Sequence, residues 1–364
     1  MRNYMKLLGE RLEVNNMRKI GFYIGIIFAV IISIYCYLYY PQQQMPVGQQ
    51  VYVETPEYEK YRNDCLHPCI RYDENSDTYF MAQTPYYGWN NKLENPIFYT
   101  SSNYMHWSDG ILLAETPTIG YNSVPCILIT NDTILYIWRE CSTPLCDSLD
   151  CQMATVGGLI EDGCLVDKKV LAVNQWTDFD TEQCPILMNI DNDIVMYAAW
   201  YQYAPERINK GIARWKMISK DDMKFELTDT IAFSSTYTAD KCAQVRFLNR
   251  IWFLPKPQKH DLWHFDLFEY DNKLYMVSVA EKGDNIMLSV SEDYMHFKTY
   301  RKPLINNHYS ENYIGYRQYY YKPTAFVKND SLFLFYTANA KQDPNRNQLF
   351  VTSESMTQVL KQVD

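Results

Sequence analysis

Polar side chains recur at one place in this sequence, where each of five similar apolar segments begins. They are His67, Asn122, Glu182 or Gln183, His264 with Asp266, and the stretch 317–322. Such groups can bind polar ligands or move protons, and His264 with Asp266 could act as an acid and a base. One polar residue at a strand end says little. Polar residues at the same position of five repeats predict one shared pocket.

The elements that must position these residues are repeated β-sheets. Residues 263–304 are typical of four antiparallel strands with short Asn- and Asp-containing turns. The closing pattern Ser-x-Asp-x-Met-His-Phe, which begins at Ser291, recurs with variations from Ser219 and Ser101. The repeats begin near positions 67, 125, 185, 265 and 323, at intervals of 58, 60, 80 and 58 residues. This pattern predicts an all-β, five-bladed β-propeller with an insertion in the third repeat.

The N-terminus predicts a membrane anchor. Residues 1–19 contain five Lys or Arg and two Glu, and residues 21–40 contain no charge, a length that can cross a bilayer as a helix. A cleaved signal peptide is the alternative, but the apolar run is long and no small-x-small site follows it. The positive-inside rule leaves the N-terminus cytoplasmic and the remainder extracytoplasmic. We therefore expect a cytoplasmic segment (1–19), a transmembrane signal-anchor helix (20–40), a stalk (41–60) and the propeller (61–364).

Charge and cysteine content narrow the possible partners. The net charge is −9, and residues 1–19 contribute +3, so the remainder carries −12 without a basic run; this argues against nucleic-acid binding. Nine of the ten cysteines lie outside the predicted span, where disulfides are chemically allowed, but the sequence does not give their pairing. No C-x2-C pair with a nearby His is present, so we expect neither a metal nor another cofactor.

Two further expectations concern packing. Residues 51–54 could close the ring by pairing with the last blade, which removes an open sheet edge. Aromatic residues make up 15% of the chain, with 32 Tyr. They either fill the layers between blades, or some of them line a floor on which sugar rings stack. His106 and His296 belong to the repeated turns and are interpreted as structural.

The repeat Ser-x-Asp-x-x-x-Phe/Trp, with five blade starts, resembles the five-bladed propellers of glycoside hydrolase family 43 and its relatives in families 32, 68 and 130. Segments such as HPCIRYDENSDTYFMAQTPYY and WHFDLFEYDNKLYMV most resemble uncharacterised bacterial members, and the resemblance covers about residues 60–355. It implies a carbohydrate-active protein with a glycan in the axial pocket. The family places an Asp on each of the first two blades and a Glu on the third. Here Cys69 and Val124 stand at the first two positions, and Glu182 matches the third.

The resemblance and the polar residues together give a candidate site. The predicted catalytic acids are Asp266, Glu182 and Glu94, with Glu140 as a further possibility. The predicted substrate-binding residues form a polar ring for sugar hydroxyls or a carboxylated sugar: His67, Asn95, Asn122, Arg139 and His264. Each of these side chains could instead make a hydrogen bond that locks two blades together, and Asp266 could instead bond backbone at a strand start.

Three functions follow from this reading. The first is a membrane-anchored, extracytoplasmic glycoside hydrolase with an unusual acid pair. The second is a non-catalytic glycan-binding propeller that has lost the usual acids. The third is a scaffold in polysaccharide assembly. Two carboxyl groups across the pocket would favour the first, and an aromatic and amide pocket with one acid would favour the second.

Overall fold

The computed structural model describes most of the chain with gaps. The described residues are 17, 19–34, 45–46, 48–54, 64–107, 109–115, 121–130, 133–141, 152–175, 181–202, 208–231, 233, 235–237, 242–247, 250–255, 258–260, 262–280, 285–300, 302–306, 320–339 and 345–363. Two compact units are present: Gln42–Tyr237 with Gln258–Asp364, and Met1–Pro41 with Thr238–Pro257. Of the predicted stalk (41–60), residues 41–44, 47 and 55–60 lie outside the described residues.

The larger unit contains five antiparallel sheets, the blades, whose strands follow chain order from the inner strand outward, except for the outermost strand of blade 5. Blade 1 contains Cys69–Asp73, Thr78–Gln83, Ile97–Ser101 and Ile111–Leu112. Blade 2 contains Tyr121–Thr130, Thr133–Cys141, Gln152–Glu161 and Cys164–Gln175. Blade 3 contains Thr181–Ile190, Asp193–Gln202, Ile208–Ser219 and Lys224–Ile231. Blade 4 contains Leu262–Tyr270, Lys273–Ala280, Asn285–Ser291 and Lys298–Thr299, with Ile305–Asn306 also paired to its third strand. Blade 5 contains Thr324–Lys328, Ser331–Asn339, Asn347–Ser355 and Gln49–Gln50.

The inner strands form a closed ring, because each contacts the inner strand of the next blade and the fifth contacts the first. The predicted five-bladed, all-β propeller is therefore confirmed. The Asn and Asp turns that join inner to second strands adopt the left-handed backbone expected of short hairpins. Asp271 and Asn272 have φ of 50° and 55°, and Asn329 and Asp330 have φ of 52° and 60°.

Residues 49–53, which we call the closing segment, pair with blade 5 and with blade 1 and so close the ring. Gln49 and Gln50 pair with the third strand of blade 5, and the N–H of Val51 donates to Leu349 O at 2.9 Å. Tyr52–Val53 then pairs in parallel with the short strand His106–Trp107, which follows the third strand of blade 1. Pairing with the last blade thus occurs as predicted, but it begins two residues before the expected segment 51–54. One continuous segment joins the last blade to the first, so neither edge is left open.

The long third repeat contains the predicted insertion, which follows the fourth strand of blade 3. Its base is an antiparallel pair, Ser235–Tyr237 with Gln258–His260. The smaller unit includes the hairpin Cys242–Phe247 with Arg250–Pro255 and a helix over residues 19–34. Within the described part of the chain, no helix is both long enough and apolar enough to cross a membrane.

The repeated Ser-x-Asp turns work as the sequence predicts. Oδ1 of Asp293 accepts the N–H groups of Met295 and His296, and Oδ1 of Asn103 does the same in the equivalent turn of blade 1. The aromatic residue that ends the blade 1 copy, Trp107, is fully buried against the closing segment. Most of the largest buried side chains are Tyr, Trp and Phe, so aromatic residues fill much of the space within and between blades.

Three smaller helices complete the described elements. The C-terminal α-helix Met356–Val363 packs its apolar face on the core between blades 4 and 5. Two short 3-10 helices, Tyr87–Trp89 and Asn91–Leu93, lie between the second and third strands of blade 1. We call residues 84–96, which contain them, the mouth loop, because they lie beside the beginnings of the inner strands.

Candidate functional site

Side chains from three blades meet where the inner strands begin. The rings of His67, which precedes the inner strand of blade 1, and His264, in the inner strand of blade 4, lie 5.1 Å apart between centroids. Tyr321, just before the inner strand of blade 5, lies 6.3 Å from His67 and 6.4 Å from His264. Residues almost 200 positions apart in the sequence therefore share one cluster, as radial geometry requires.

The mouth loop brings a carboxyl group to this cluster. Oε1 of Glu94 lies 3.2 Å from Nδ1 of His67, which is also 3.0 Å from Oγ1 of Thr84. Burial raises the pKa of Glu94 well above its usual value, although the positive charge of Arg139 opposes this. Burial, with Arg139 and Lys322, lowers the pKa of His67 well below its usual value. Burial therefore disfavours the charged form of both groups, and the Glu94 carboxyl group faces the His67 imidazole.

Blade 2 contributes an amide and a guanidinium. Oδ1 of Asn122 accepts the indole N–H of Trp138 at 3.2 Å, and its fully buried Nδ2 has no hydrogen-bond partner among the described residues. Nε of Arg139 donates to Oγ of Ser123 at 3.0 Å, and its guanidinium lies 5.4 Å from the ring centroid of Tyr121. An unsatisfied buried donor suits an oxygen-rich ligand, and the Arg139 guanidinium of the same blade also favours oxygen partners.

Aromatic rings form one wall of the mouth. Trp89 is 47% exposed and lies 5.9 Å from Tyr321, which in turn lies 5.5 Å from Trp263. Trp89 adopts a left-handed backbone, with φ of 60°, directly after Gly88 at 66°. A bulky residue in this conformation is uncommon and is found where the surrounding structure requires it. Sequence reasoning missed Trp89, although the aromatic-rich run from Tyr86 to Trp89 was a visible signal, and it included Tyr321 only as part of the stretch 317–322.

The mouth loop is held by two polar side chains. Asn95 donates from Nδ2 to Lys92 O at 3.3 Å, so this predicted substrate-binding residue stabilises the loop. Asp64 is fully buried; it accepts the N–H of Tyr86, at the start of the loop, and that of Asn347 in blade 5 at 2.8 Å. Burial raises the pKa of Asp64 to about 7, although both backbone donors oppose this.

Asp266 makes the contacts of a brace between blades. Both its oxygens accept from Arg71, at 2.7 Å each, and Oδ2 also accepts from Thr324 and from the N–H of Ala325. Burial alone would raise the pKa of Asp266, but the charge and hydrogen bonds of Arg71 outweigh it and hold the pKa below its usual value. These contacts favour a structural role for Asp266, including its hydrogen bond to backbone, over a role as the acid–base partner of His264.

The third predicted acid lies at the start of the inner strand of blade 3. Glu182 pairs in register with Trp200, but its side chain lies outside the described residues, as does that of Gln183. Arg317 also lies outside them. Of the predicted catalytic acids, the structure therefore brings Glu94 to the two histidines, places Asp266 on Arg71, and leaves the role of Glu182 a prediction.

No group of three or more His, Cys, Asp or Glu side chains in the described ranges is arranged to hold a metal ion. The site therefore offers hydrogen bonds, aromatic faces, the Arg139 guanidinium and the buried Glu94 carboxyl group, whose pKa is raised. The chemistry available to its described residues is recognition of a polar, ring-shaped ligand and donation of a proton from Glu94.

Comparisons with known proteins support the fold. No protein-family model matches the chain, and no curated protein matches it. An N-acetylgalactosamine deacetylase from F. plautii, solved in complex with blood group B trisaccharide, is similar with 12% identity and a TM-score of 0.62 over 87% of this chain and 97% of that one. A thermostable family-43 glycoside hydrolase is similar with 14% identity and a TM-score of 0.52 over 80% and 89%.

An α-L-arabinofuranosidase from Lactobacillus brevis is similar with 11% identity and a TM-score of 0.52, over 79% of this chain and 89% of that one. The predicted likeness to the propellers of glycoside hydrolase family 43 is thus confirmed at the level of fold. Sequence identities this low give no information on activity, which depends on the site.

Asp64 makes stability depend on pH. Its carboxyl group has a pKa of about 7 in the folded chain and an ordinary value of 3.8, so the folded protein keeps a proton that the unfolded chain has lost between these values. The stability that this bound proton contributes is complete below about pH 4. The free energy of unfolding falls by about 4 kcal/mol as the pH rises to about 7. We expect Asp64→Asn to remove this decline, measured as the free energy of urea unfolding at several pH values.

The matched control is Asp162→Asn, which changes an exposed aspartate in a turn with φ of 49°. It should retain the wild-type pH dependence. If Asp64→Asn also retains it, Asp64 does not keep its proton in the folded state.

Proposed function

We propose that this protein binds a glycan at the mouth of the propeller and does not hydrolyse it by the usual pair of acids. The observation that carries the proposal is the exposed Trp89, which packs against Tyr321 beside the buried Glu94–His67 pair. A few polar groups at one end of an aromatic wall are typical of small-molecule sites. The faces of Trp89 and Tyr321 suit the apolar faces of sugar rings, and Asn122 and Arg139 suit sugar oxygens.

The similar structures support a carbohydrate as the ligand class. The F. plautii deacetylase, which has this fold, is described in complex with a trisaccharide, and a family-43 xylosidase/arabinofuranosidase is described in complex with xylotriose at a TM-score of 0.50. Both similarities concern the fold. They agree with the ligand that the aromatic and amide groups of this mouth would recognise.

The count of carboxyl groups favours binding over cleavage. Glycoside hydrolysis by the usual mechanism needs two carboxyl groups, about 5–5.5 Å apart in retaining enzymes and about 6.5–9.5 Å apart in inverting ones. Within the described residues of the mouth, Glu94 supplies one carboxyl group. The carboxylate of Asp266 is already bound by Arg71. Cys69 and Val124 occupy the positions where the resemblance leads us to expect two further acids.

Hydrolysis is the second candidate, for one reason. Burial raises the pKa of Glu94, which is what a general acid requires at neutral pH. Glu182 would then have to supply the second carboxyl group.

We further propose that residues 20–40 anchor the protein in a membrane with the propeller on the extracytoplasmic side. Support comes from the uncharged run 21–40 after a basic segment. Large apolar side chains on the helix over residues 19–34, including Phe22, Ile27 and Ile31, are exposed in the isolated chain. Apolar surface of this kind calls for a nonpolar environment.

Trp89→Ala tests the glycan site. We expect it to weaken binding about tenfold or more, because a central aromatic contact is removed. The full-length chain in a mild detergent is screened on a glycan array, and the affinity of any glycan found is then measured by calorimetry. The control is Tyr52→Ala, which removes an aromatic side chain, 36% exposed, from the closing segment. Equal losses in both variants, or none in Trp89→Ala, would contradict the proposed site.

Glu94→Gln separates binding from cleavage. We expect wild type to release no sugar from the bound glycan, and the variant to bind it within about tenfold of wild type, since the glutamine amide has the same shape as the carboxyl group and also makes hydrogen bonds. Released sugars are measured by mass spectrometry. If wild type cleaves the glycan and Glu94→Gln binds it intact, the hydrolase is the correct function.

A further inference from the structure

Two cysteine thiols face each other on the inner strands beneath the mouth. Sγ of Cys69 in blade 1 lies 3.6 Å from Sγ of Cys126 in blade 2, and both side chains are fully buried. The N–H of Ile127 donates to the first sulfur at 3.5 Å, and the N–H of Leu187 donates to the second at 3.3 Å. Backbone from blades 2 and 3 therefore holds both sulfurs in place.

The charges around these sulfurs are unbalanced if both are thiols. Arg71 pairs with Asp266, and Nη2 of Arg71 also lies 3.9 Å from Sγ of Cys126. Lys322 is fully buried and donates to Pro125 O at 2.6 Å, with no carboxylate within 4 Å among the described residues. A buried ammonium group without a counter-ion is costly. A thiolate supplies the missing negative charge.

Cys69 is the better candidate for the thiolate. Burial alone would raise its pKa, but the hydrogen bond from Cys126 and the charge of Arg71 outweigh it and lower the pKa to about 6. Burial raises the pKa of Cys126 well above its usual value. The pair therefore consists of one sulfur with thiolate character, which positive charge favours, and a thiol 3.6 Å from it.

We propose that Cys69 and Cys126 form a redox site that closes a reversible disulfide between blades 1 and 2. Hydrogen peroxide, which is small enough to enter a tight interior, is the oxidant. The Cys69 thiolate attacks one peroxide oxygen, the O–O bond breaks, and a sulfenic acid and hydroxide form. Cys126 sulfur then attacks Cys69 sulfur, its proton and the sulfenic hydroxyl leave as water, and the S–S bond forms.

The sulfurs need to approach by only about 1.5 Å to reach the usual S–S bond length of about 2.05 Å. The bond would fix the floor of the mouth, because Cys69 lies two residues after His67 and Cys126 lies four after Asn122. Cys184 provides a contrast. Its sulfur donates to Phe265 O at 3.2 Å, and burial raises its pKa to about 11, so we expect it to remain a thiol.

The experiment maps disulfides in the full-length protein. The chain is reduced in a mild detergent, freed of reductant and treated with hydrogen peroxide, and catalase stops the reaction. It is then unfolded in urea with iodoacetamide, digested without reductant and analysed by mass spectrometry. We expect a peptide pair joined through Cys69 and Cys126, which is absent when the oxidised protein is treated with dithiothreitol before alkylation.

Variants test which cysteine reacts with peroxide and which one completes the disulfide. Cys184→Ser should form the same cross-link. Cys126→Ala should leave Cys69 as a sulfenic acid, which dimedone captures. Recovery of both wild-type cysteines in the alkylated form, or a link from either to another cysteine, would overturn the proposal. If Cys126→Ala does not fold, the wild-type peptide map still decides.

Discussion

One buried ion pair connects three of the five blades. Arg71 from blade 1 binds both carboxylate oxygens of Asp266 in blade 4, and Thr324 in blade 5 donates to the same carboxylate. The inner strands of a propeller converge on a small central volume, so polar groups from different blades can become partners there. Loss of one partner of such a pair leaves an uncompensated buried charge, at a cost of about 3–5 kcal/mol. The two charges can therefore be buried together only when the ring of blades is closed.

The same convergence of the inner strands determines which side chains meet at the mouth above this ion pair. Because the inner strands begin at one end of the ring, His67, His264 and Tyr321 meet although they belong to different repeats. Burial raises the pKa of Glu94 and lowers that of His67, and the positive charge of Arg139 acts on both groups. A buried carboxyl group, an unsatisfied amide and an exposed indole suit the oxygen-rich ring that we propose as the ligand.

Local sequence signals predicted the repeated parts of this molecule. Asn and Asp at hairpin turns, and the Ser-x-Asp pattern, act through bonds within a few residues, so five sheets and their order could be inferred from the chain. Ring closure by the segment before blade 1 followed from the need to cover an edge, although its pairing begins earlier than expected. Asp266 was predicted to be catalytic because it is an acid at a strand start. Its partner Arg71 is 195 residues away and could be identified only in the folded protein.

The mouth loop was the least predictable part. Two short 3-10 helices and the left-handed backbone of Gly88 and Trp89 present Trp89 and Glu94, and no periodic pattern encodes such a loop. The sequence identified Glu94 as a candidate acid but gave no reason for it to contact His67. Asn122 and Arg139 were predicted as members of the polar ring, and the structure gives each a hydrogen-bond partner within blade 2.

A double-mutant cycle on Arg71 and Asp266 tests most directly whether the blades converge on this pair. Arg71→Met, Asp266→Asn and the double variant are compared with wild type by their free energies of unfolding in urea. The account predicts that each single change costs about 3–5 kcal/mol and that the double change costs at least about 2 kcal/mol less than the sum, because the second change removes a charge that the first left unpaired. Costs that add within about 0.5 kcal/mol would show that the two side chains do not meet, and would contradict the closed ring and the site built on it.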